Sequence, residues 1–316
     1  MADNSKLFYN LFMANAALVH QIQSAITDEI FFALGLNRRG ALRRAFGWAF
    51  HAPTRRFARI MADVDAAVAV GGPPAGCQTM LDALGVQAKA EGVENIPLTG
   101  PAIILANHPG AYDSMAIGSL VPRTDLKVIV GKTRLYQVLP HIHPEMIYAS
   151  QERSESMTAL RQAISHFEAG GVLLQFGSGL IEPDPALHPV NDAVFERWSA
   201  SIEVFMRKVP QVQIIPTIAS NVLLKRFDQH PLTRLRKTGM DQRRLAEFMQ
   251  VIQQLLFPKS IDAKPCISFG RPFTLEELER SGAQRRLMPA VLARVNNQLA
   301  HHLDVFVQNH TATSSR

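Results

Sequence analysis

The chain has 316 residues, 47% of them hydrophobic and 19% charged, which is enough apolar material for one large domain or two unequal ones. Its two cysteines, Cys77 and Cys266, stand far apart with no metal-ligand spacing around either, which argues against a disulfide framework and fits a reducing cytoplasm. The net charge of +6 is unevenly spread, and no apolar run reaches the roughly 18 residues that a membrane span needs.

The N-terminus, MADNSKLFYNLFMANAALV, has no basic opening and no small-residue cleavage site, so no signal peptide is expected. Residues 5–84 read as wholly helical, with a long helix to Leu36 and shorter ones to about Val70. A break at Gly71-Gly72-Pro73-Pro74 precedes a last helix to Leu84. Within this region seven arginines (Arg38, Arg39, Arg43, Arg44, Arg55, Arg56, Arg59) occur between Asn37 and Arg59 without an acid. Phe46, Trp48, Phe50 and Phe57 are interleaved with them. Basic and aromatic residues mixed on short helices suit an anionic membrane surface, where each cation contributes about 1 kcal/mol. The same pattern also fits aromatic core residues under a solvated basic face. No recognised nucleic-acid-binding motif accompanies the cluster, so nucleic acid is not expected as a partner.

From Val86 onward the pattern changes. Short β-rich runs (Val86–Ala90, Ala102–Ala106, Lys127–Val130, Gly171–Phe176, Val212–Ile218, Ala263–Phe269) alternate with helical ones. The helical runs are Tyr112–Leu120, Ser154–Ala169, Ala193–Arg207, Arg243–Phe257, Leu275–Glu279 and Pro289–Val307. This alternation predicts an α/β fold with a mixed, mostly parallel sheet flanked by helices, preceded by the N-terminal helical region. The expected division is residues 1–85, then an α/β domain over 86–308, then a disordered tail over 309–316. A second basic stretch from Lys225 to Arg244 reads either as a surface for phosphates of lipid or coenzyme A or for an acidic carrier protein, or as an ordinary solvated loop and helix.

One stretch carries recognisable chemistry: Ala106-Asn107-His108-Pro109-Gly110-Ala111-Tyr112-Asp113, directly after the apolar run Pro101–Leu105. Pro109 and Gly110 end the strand, because proline cannot donate to a ladder and glycine admits turn geometry. Asp113 then falls in the first turn of a helix, where the helix dipole favours a carboxylate. The loop is expected to fold Asp113 back on His108, fixing the ring tautomer and leaving its other nitrogen as a base. A turn histidine beside a helix start is the plainer alternative. In a parallel sheet, sites gather at the strand carboxyl ends, and Phe176-Gly177-Ser178-Gly179-Leu180-Ile181-Glu182-Pro183-Asp184-Pro185 follows another strand. Its glycines allow backbone N–H groups to approach an oxyanion or phosphate, and they equally fit a plain turn.

The pattern resembles the glycerolipid acyltransferase superfamily, which includes the lysophosphatidate and glycerol-3-phosphate acyltransferases. The elements that carry the resemblance are Asn-His-x-x-x-x-Asp after a strand, a Gly-rich loop some 65 to 70 residues later, Ile214-Ile215-Pro216-Thr217, and Cys266-Ile267-Ser268-Phe269-Gly270-Arg271-Pro272-Phe273. It covers about Val86 to Val307. The resemblance implies transfer of an acyl group from acyl-CoA or acyl carrier protein to a hydroxyl, with no cofactor beyond that co-substrate. His108 matches the family's base and Asp113 its orienting partner. Asn107, Lys132, Arg134, Arg153, Gly177, Ser178, Gly179 and Pro216 are the expected substrate-binding residues. The implied location is the cytoplasmic face of an anionic membrane, held peripherally.

The chain departs from the family in one block, which usually reads Phe-Pro-Glu-Gly-Thr-Arg-Ser. Aligned on Phe176 and Gly179, Ser178 stands for the Glu, Leu180 for the Thr and Ile181 for the Arg. An isoleucine cannot pair with a phosphate. Either Lys132, Arg134 or Arg153 replaces the missing cation, or the acceptor lacks a phosphate there. A hydrolase on the same site and an acyl-binding protein with a degraded site are the alternative functions.

Overall fold

A computed structural model describes residues 2–33, 41–150, 152–189, 195, 197–257, 260–282 and 286–308, with side chains from residue 15 except 32–33 and 41–46. The expected end of the first helix at Leu36, the start of the helix at Ala193 and the tail 309–316 lie outside the described residues. So do Arg38, Arg39 and the side chains of Arg43, Arg44 and Phe46.

Two helices form the N-terminal region, α1 (Ala2–Ala33) and α2 (Ala41–Leu84). The expected break is a kink at Gly72, whose φ of 72° and ψ of −175° leave the helical region. A Cβ there would lie 2.8 Å from the Thr124 carbonyl oxygen, so both conformation and space require glycine.

The strands are β1 (Lys89–Glu91), β2 (Ala102–Ala106), β3 (Leu126–Gly131), β4 (Met146–Ala149), β5 (Val172–Phe176), β6 (Gln213–Ser220) and β7 (Cys266–Phe269). They form one sheet in the order β1-β7-β6-β2-β5-β3-β4. Every neighbouring pair is parallel except β6 and β7. The remaining helices are α3 (Asp113–Ser119), α4 (Arg134–Gln137), α5 (Arg153–Glu168), α6 (Ser201–Lys208), α7 (Lys225–Asp228), α8 (Gly239–Leu256), α9 (Leu275–Arg280) and α10 (Leu287–Leu303).

Helices cover both faces. Ile104, Leu174, Ile215 and Ile267 pack with α2, α3 and α8 on one side. Ile103, Leu105, Leu173 and Ile214 pack with α5, α6 and α10 on the other. A strand buried on both faces reads as a continuous apolar run, which is why Ala102–Ala106 was unambiguous in sequence. In register, Ala106 stands opposite both Phe176 and Thr217. The loops that leave β2 and β5 therefore start side by side at the centre of the sheet.

Two departures have local causes. Strand β4 was absent from the sequence reading; it has four residues, sits at the sheet edge and pairs with β3. Within the expected helix over 193–207, residues 197–200 form a turn in which Ser199 N–H donates to the Gly177 carbonyl (2.7 Å), and a helix runs from Ser201.

Candidate active site

Beyond β2 the chain leaves the sheet through a side-chain substitute for a ladder pair. The Asn107 Oδ1 accepts from Ala219 N (2.7 Å) and its Nδ2 donates to Ala219 O (2.9 Å). Asn107 is buried and both ends of its amide are engaged, so it shapes the loop. The next residue, His108, is then free to turn out of the sheet.

Asp113 closes the loop from the first turn of α3. Its Oδ2 lies 2.8 Å from His108 Nδ1 and accepts from Gly110 N (3.0 Å), while Oδ1 accepts from Ser114 N (2.5 Å). The carboxylate is fully buried, whereas the His108 side chain keeps 26% exposure. The His108 ring stacks on Phe176, with centroids 4.3 Å apart and planes at 25°. With Nδ1–H donated to the carboxylate, Nε2 carries the lone pair and has no hydrogen-bond partner among the described residues.

Residue 182, quoted in the sequence reading but given no role, clamps the same histidine. Glu182 N donates to His108 O (2.7 Å), and its carboxylate accepts weakly from His108 N (3.4 Å) and well from Trp198 Nε1 (2.9 Å). Gly177 lies under Trp198, where an added Cβ would meet the indole at 1.9 Å, so the glycine is there for the tryptophan. Its N–H donates to Ala106 O (2.9 Å), and that of Gly179 donates to Phe176 O (3.2 Å). The two glycine N–H groups expected to meet an oxyanion are thus engaged within the protein. Ser178 Oγ likewise turns back on Leu180 O (3.1 Å).

Helix α8 forms a further wall. Arg243, Glu247, Gln250 and Gln254 follow one another at helical spacing on one face. Gln250 caps the turn after β6, bonding Leu224 N (2.8 Å) and Val222 O (2.9 Å). Gln254 donates to Leu84 O (2.6 Å) and accepts from the Tyr112 hydroxyl, next to Asp113. Glu247 Oε1 comes 3.3 Å from the place a Gly110 Cβ would take. The Arg243 guanidinium stands beside Ile181 O (3.4 Å).

These charges act on one another. Burial disfavours the His108 cation, but the carboxylates of Asp113, Glu247 and Glu182 together outweigh it and raise the pKa to about 9. Burial pushes Glu247 up to about 8, against the attraction of His108 and with repulsion from Asp113. Burial likewise raises Glu182 and lowers Arg243.

Among the described residues, no hydrogen bond or ion pair joins the other expected binding residues to His108. Lys132 pairs with Glu155 (2.7 Å) and Arg134 with Asp28 of α1 (3.3 Å), each with an exposed head group. Arg153 is exposed at the start of α5. Pro216 is buried within β6, one residue before the partner of Ala106, and packs near Gly270.

Among the described residues no helix is long and apolar enough to cross a membrane. No family model matches the chain, and no curated relative matches it. Among solved structures, the chain is similar to the crystal structure of the 1-acyl-sn-glycerophosphate (LPA) acyltransferase PlsC from Thermotoga maritima. The identity is 15% and the TM-score 0.44, over 92% of this chain and 96% of that one.

Proposed function

We propose that the protein is a glycerolipid-type acyltransferase, moving a fatty acyl group from acyl-CoA or acyl carrier protein to a hydroxyl of the acceptor. The observation that carries this reading is the His108 Nδ1–Asp113 Oδ2 contact of 2.8 Å at the end of the central strand, with Nε2 left open. The motif's resemblance to the glycerolipid acyltransferases supports the choice of substrates. His108 Nε2 takes the acceptor hydroxyl proton as that oxygen attacks the thioester carbonyl. The carbonyl π electrons move onto oxygen; when they return, the C–S bond breaks and the departing sulfur receives the proton from His108. The acyl group passes directly to the acceptor, and the chemistry calls on no cofactor besides the donor.

The raised pKa sets the pH dependence. A folded-state value of about 9 means that the imidazolium dominates at neutral pH and the base form appears as pH rises. The expected kcat/KM therefore climbs through about pH 9. Glu247→Gln removes a charge that favours the imidazolium, so the rising limb should move to lower pH. An unshifted limb would show that Glu247 does not act on His108.

The working surface is an anionic membrane, on which the protein sits peripherally at its cytoplasmic face. Trp48 supports this: it lies in the arginine-rich part of α2 and is 87% exposed, not in the core. Phe50 instead packs on Phe248, with ring centroids 6.1 Å apart. Binding to vesicles should rise with anionic lipid and weaken with salt, and Trp48 emission should shift to the blue. Replacing Arg38, Arg39, Arg43 and Arg44 together by serine should abolish it. Equal binding to neutral vesicles would contradict the electrostatic account.

The test of the reaction is incubation of the protein with labelled acyl-CoA or acyl carrier protein, with and without total lipid extract. Label entering lipid supports acyl transfer. Free fatty acid alone would indicate a hydrolase, and an unchanged donor pool an acyl-binding protein.

A further inference from the structure

Two buried polar atoms near His108 have no hydrogen-bond partner among the described residues: Arg243 Nε and Glu247 Oε1. Both belong to α8 and lie one helical turn apart. Opposite charges at that spacing ordinarily meet, yet these two form no ion pair within 4.0 Å. The order Arg then Glu is the less favourable one along a helix, which helps to keep them apart. Leaving such groups unpaired in a buried place is costly, so a ligand that supplies partners to both is favoured here.

The positions define the ligand's chemistry. Arg243 offers a planar donor fork beside the Ile181 carbonyl (3.4 Å). It therefore stands next to the position where the resemblance calls for a cation and the sequence has isoleucine. Glu247 Oε1 faces the Gly110 turn of the catalytic loop, where a hydroxyl or other donor would satisfy it. Glu247 lies close enough to His108, and Arg243 to Glu182 and Glu247, for their charges to act on one another. An anion at one end and a hydroxyl at the other describe a hydroxylated phosphate monoester.

We propose that Arg243 and Glu247 form the acceptor headgroup subsite, Arg243 taking the phosphate and Glu247 a hydroxyl of the same molecule. The assignment rests on the acyltransferase reading for its choice of acceptor, but not for the anion subsite itself. Coenzyme A also carries phosphates. The acceptor is preferred because the subsite adjoins His108, to which the attacking hydroxyl must come.

The test measures calorimetric binding of a short-chain lysophosphatidate, a monoacylglycerol, an alkyl phosphate without hydroxyls, and acyl-CoA. The proteins are native, Arg243→Ala, Arg243→Lys, Glu247→Ala and Glu247→Gln. Arg243→Ala should weaken both phosphate esters at least tenfold, spare monoacylglycerol and acyl-CoA, and be partly rescued by lysine. Glu247→Ala should weaken lysophosphatidate while leaving the alkyl phosphate unchanged, with glutamine partly restoring the loss. Equal losses for phosphorylated and phosphate-free ligands, or a loss confined to acyl-CoA, would overturn the assignment, as would no change. Arg243-dependent binding of phosphate esters without any acyl transfer would uphold the subsite and count against the acyltransferase reading.

Discussion

Replacing His108 by alanine is expected to lower kcat by about three to four orders of magnitude while leaving the fold intact. The side chain is partly exposed, and its ring makes one stacking contact with Phe176, so little packing is lost. Asp113→Asn should cost less than His108→Ala, because the base remains while its orientation and tautomer are disturbed. Asp113 also holds Gly110 N and Ser114 N, so this variant should lose some stability as well. Steady-state kinetics beside thermal melting separates the two effects: both variants lose the His108–Asp113 pair and melt lower, and His108→Ala shows the larger loss of kcat.

The largest stability effect is expected at Asp184, a fully enclosed carboxylate that serves four backbone N–H groups. Its Oδ1 accepts from Ala186 N (2.9 Å) and Asn221 N (3.0 Å), and its Oδ2 from Val222 N (2.8 Å) and Leu223 N (3.2 Å). It thereby ties the loop after β5 to the turn after β6, where Asn221 adopts a left-handed φ of 55°. Asp184→Ala leaves these donors without an acceptor and should cost about 3 kcal/mol or more. The melting temperature should fall by roughly 5 °C or more. Asp184→Asn keeps one oxygen and should fall between native and alanine. A melting temperature unchanged by Asp184→Ala would show that water replaces the carboxylate.

Much of the site's centre was legible because it is local. His108 and Asp113 lie within one loop, so strand end, proline, glycine and helix start together forecast their meeting. Strand β2 was recognised with its observed bounds because burial on both faces makes it uniformly apolar. The outer wall was not legible, for two physical reasons. Glu182, Arg243 and Glu247 reach His108 through the sheet order, which places β5 and β6 on either side of β2. In α8, moreover, periodicity points the wrong way: Gln250 and Gln254 are buried, so a polar stripe faces inward. A reading that sends polar faces to solvent assigns Arg243 to a general basic stretch and passes over Glu247.

The surroundings of the expected substrate-binding residues were hidden from sequence for a related reason. Lys132 and Arg134 were chosen from a segment of the resemblance, but a neighbouring acid occupies each at the surface. Asn107 and the two glycines are expected to meet a ligand, and their polar groups make hydrogen bonds within the scaffold. Glu182 had a usable signal, an acid between Ile181 and Pro183 in the loop after a buried strand. Aligning on Phe176 and Gly179 hid it by setting Ser178 in the glutamate's place.

In the proposed reaction His108, oriented by Asp113, activates an acceptor hydroxyl for acyl transfer. The most direct test of this is ester formation from labelled acyl donor on anionic vesicles containing lysophosphatidate, with native and His108→Ala proteins side by side. Labelled ester is expected from the native protein, and a rate at least about a thousandfold lower from the variant. Native turnover in His108→Ala, or release of free fatty acid alone by the native protein, would contradict it.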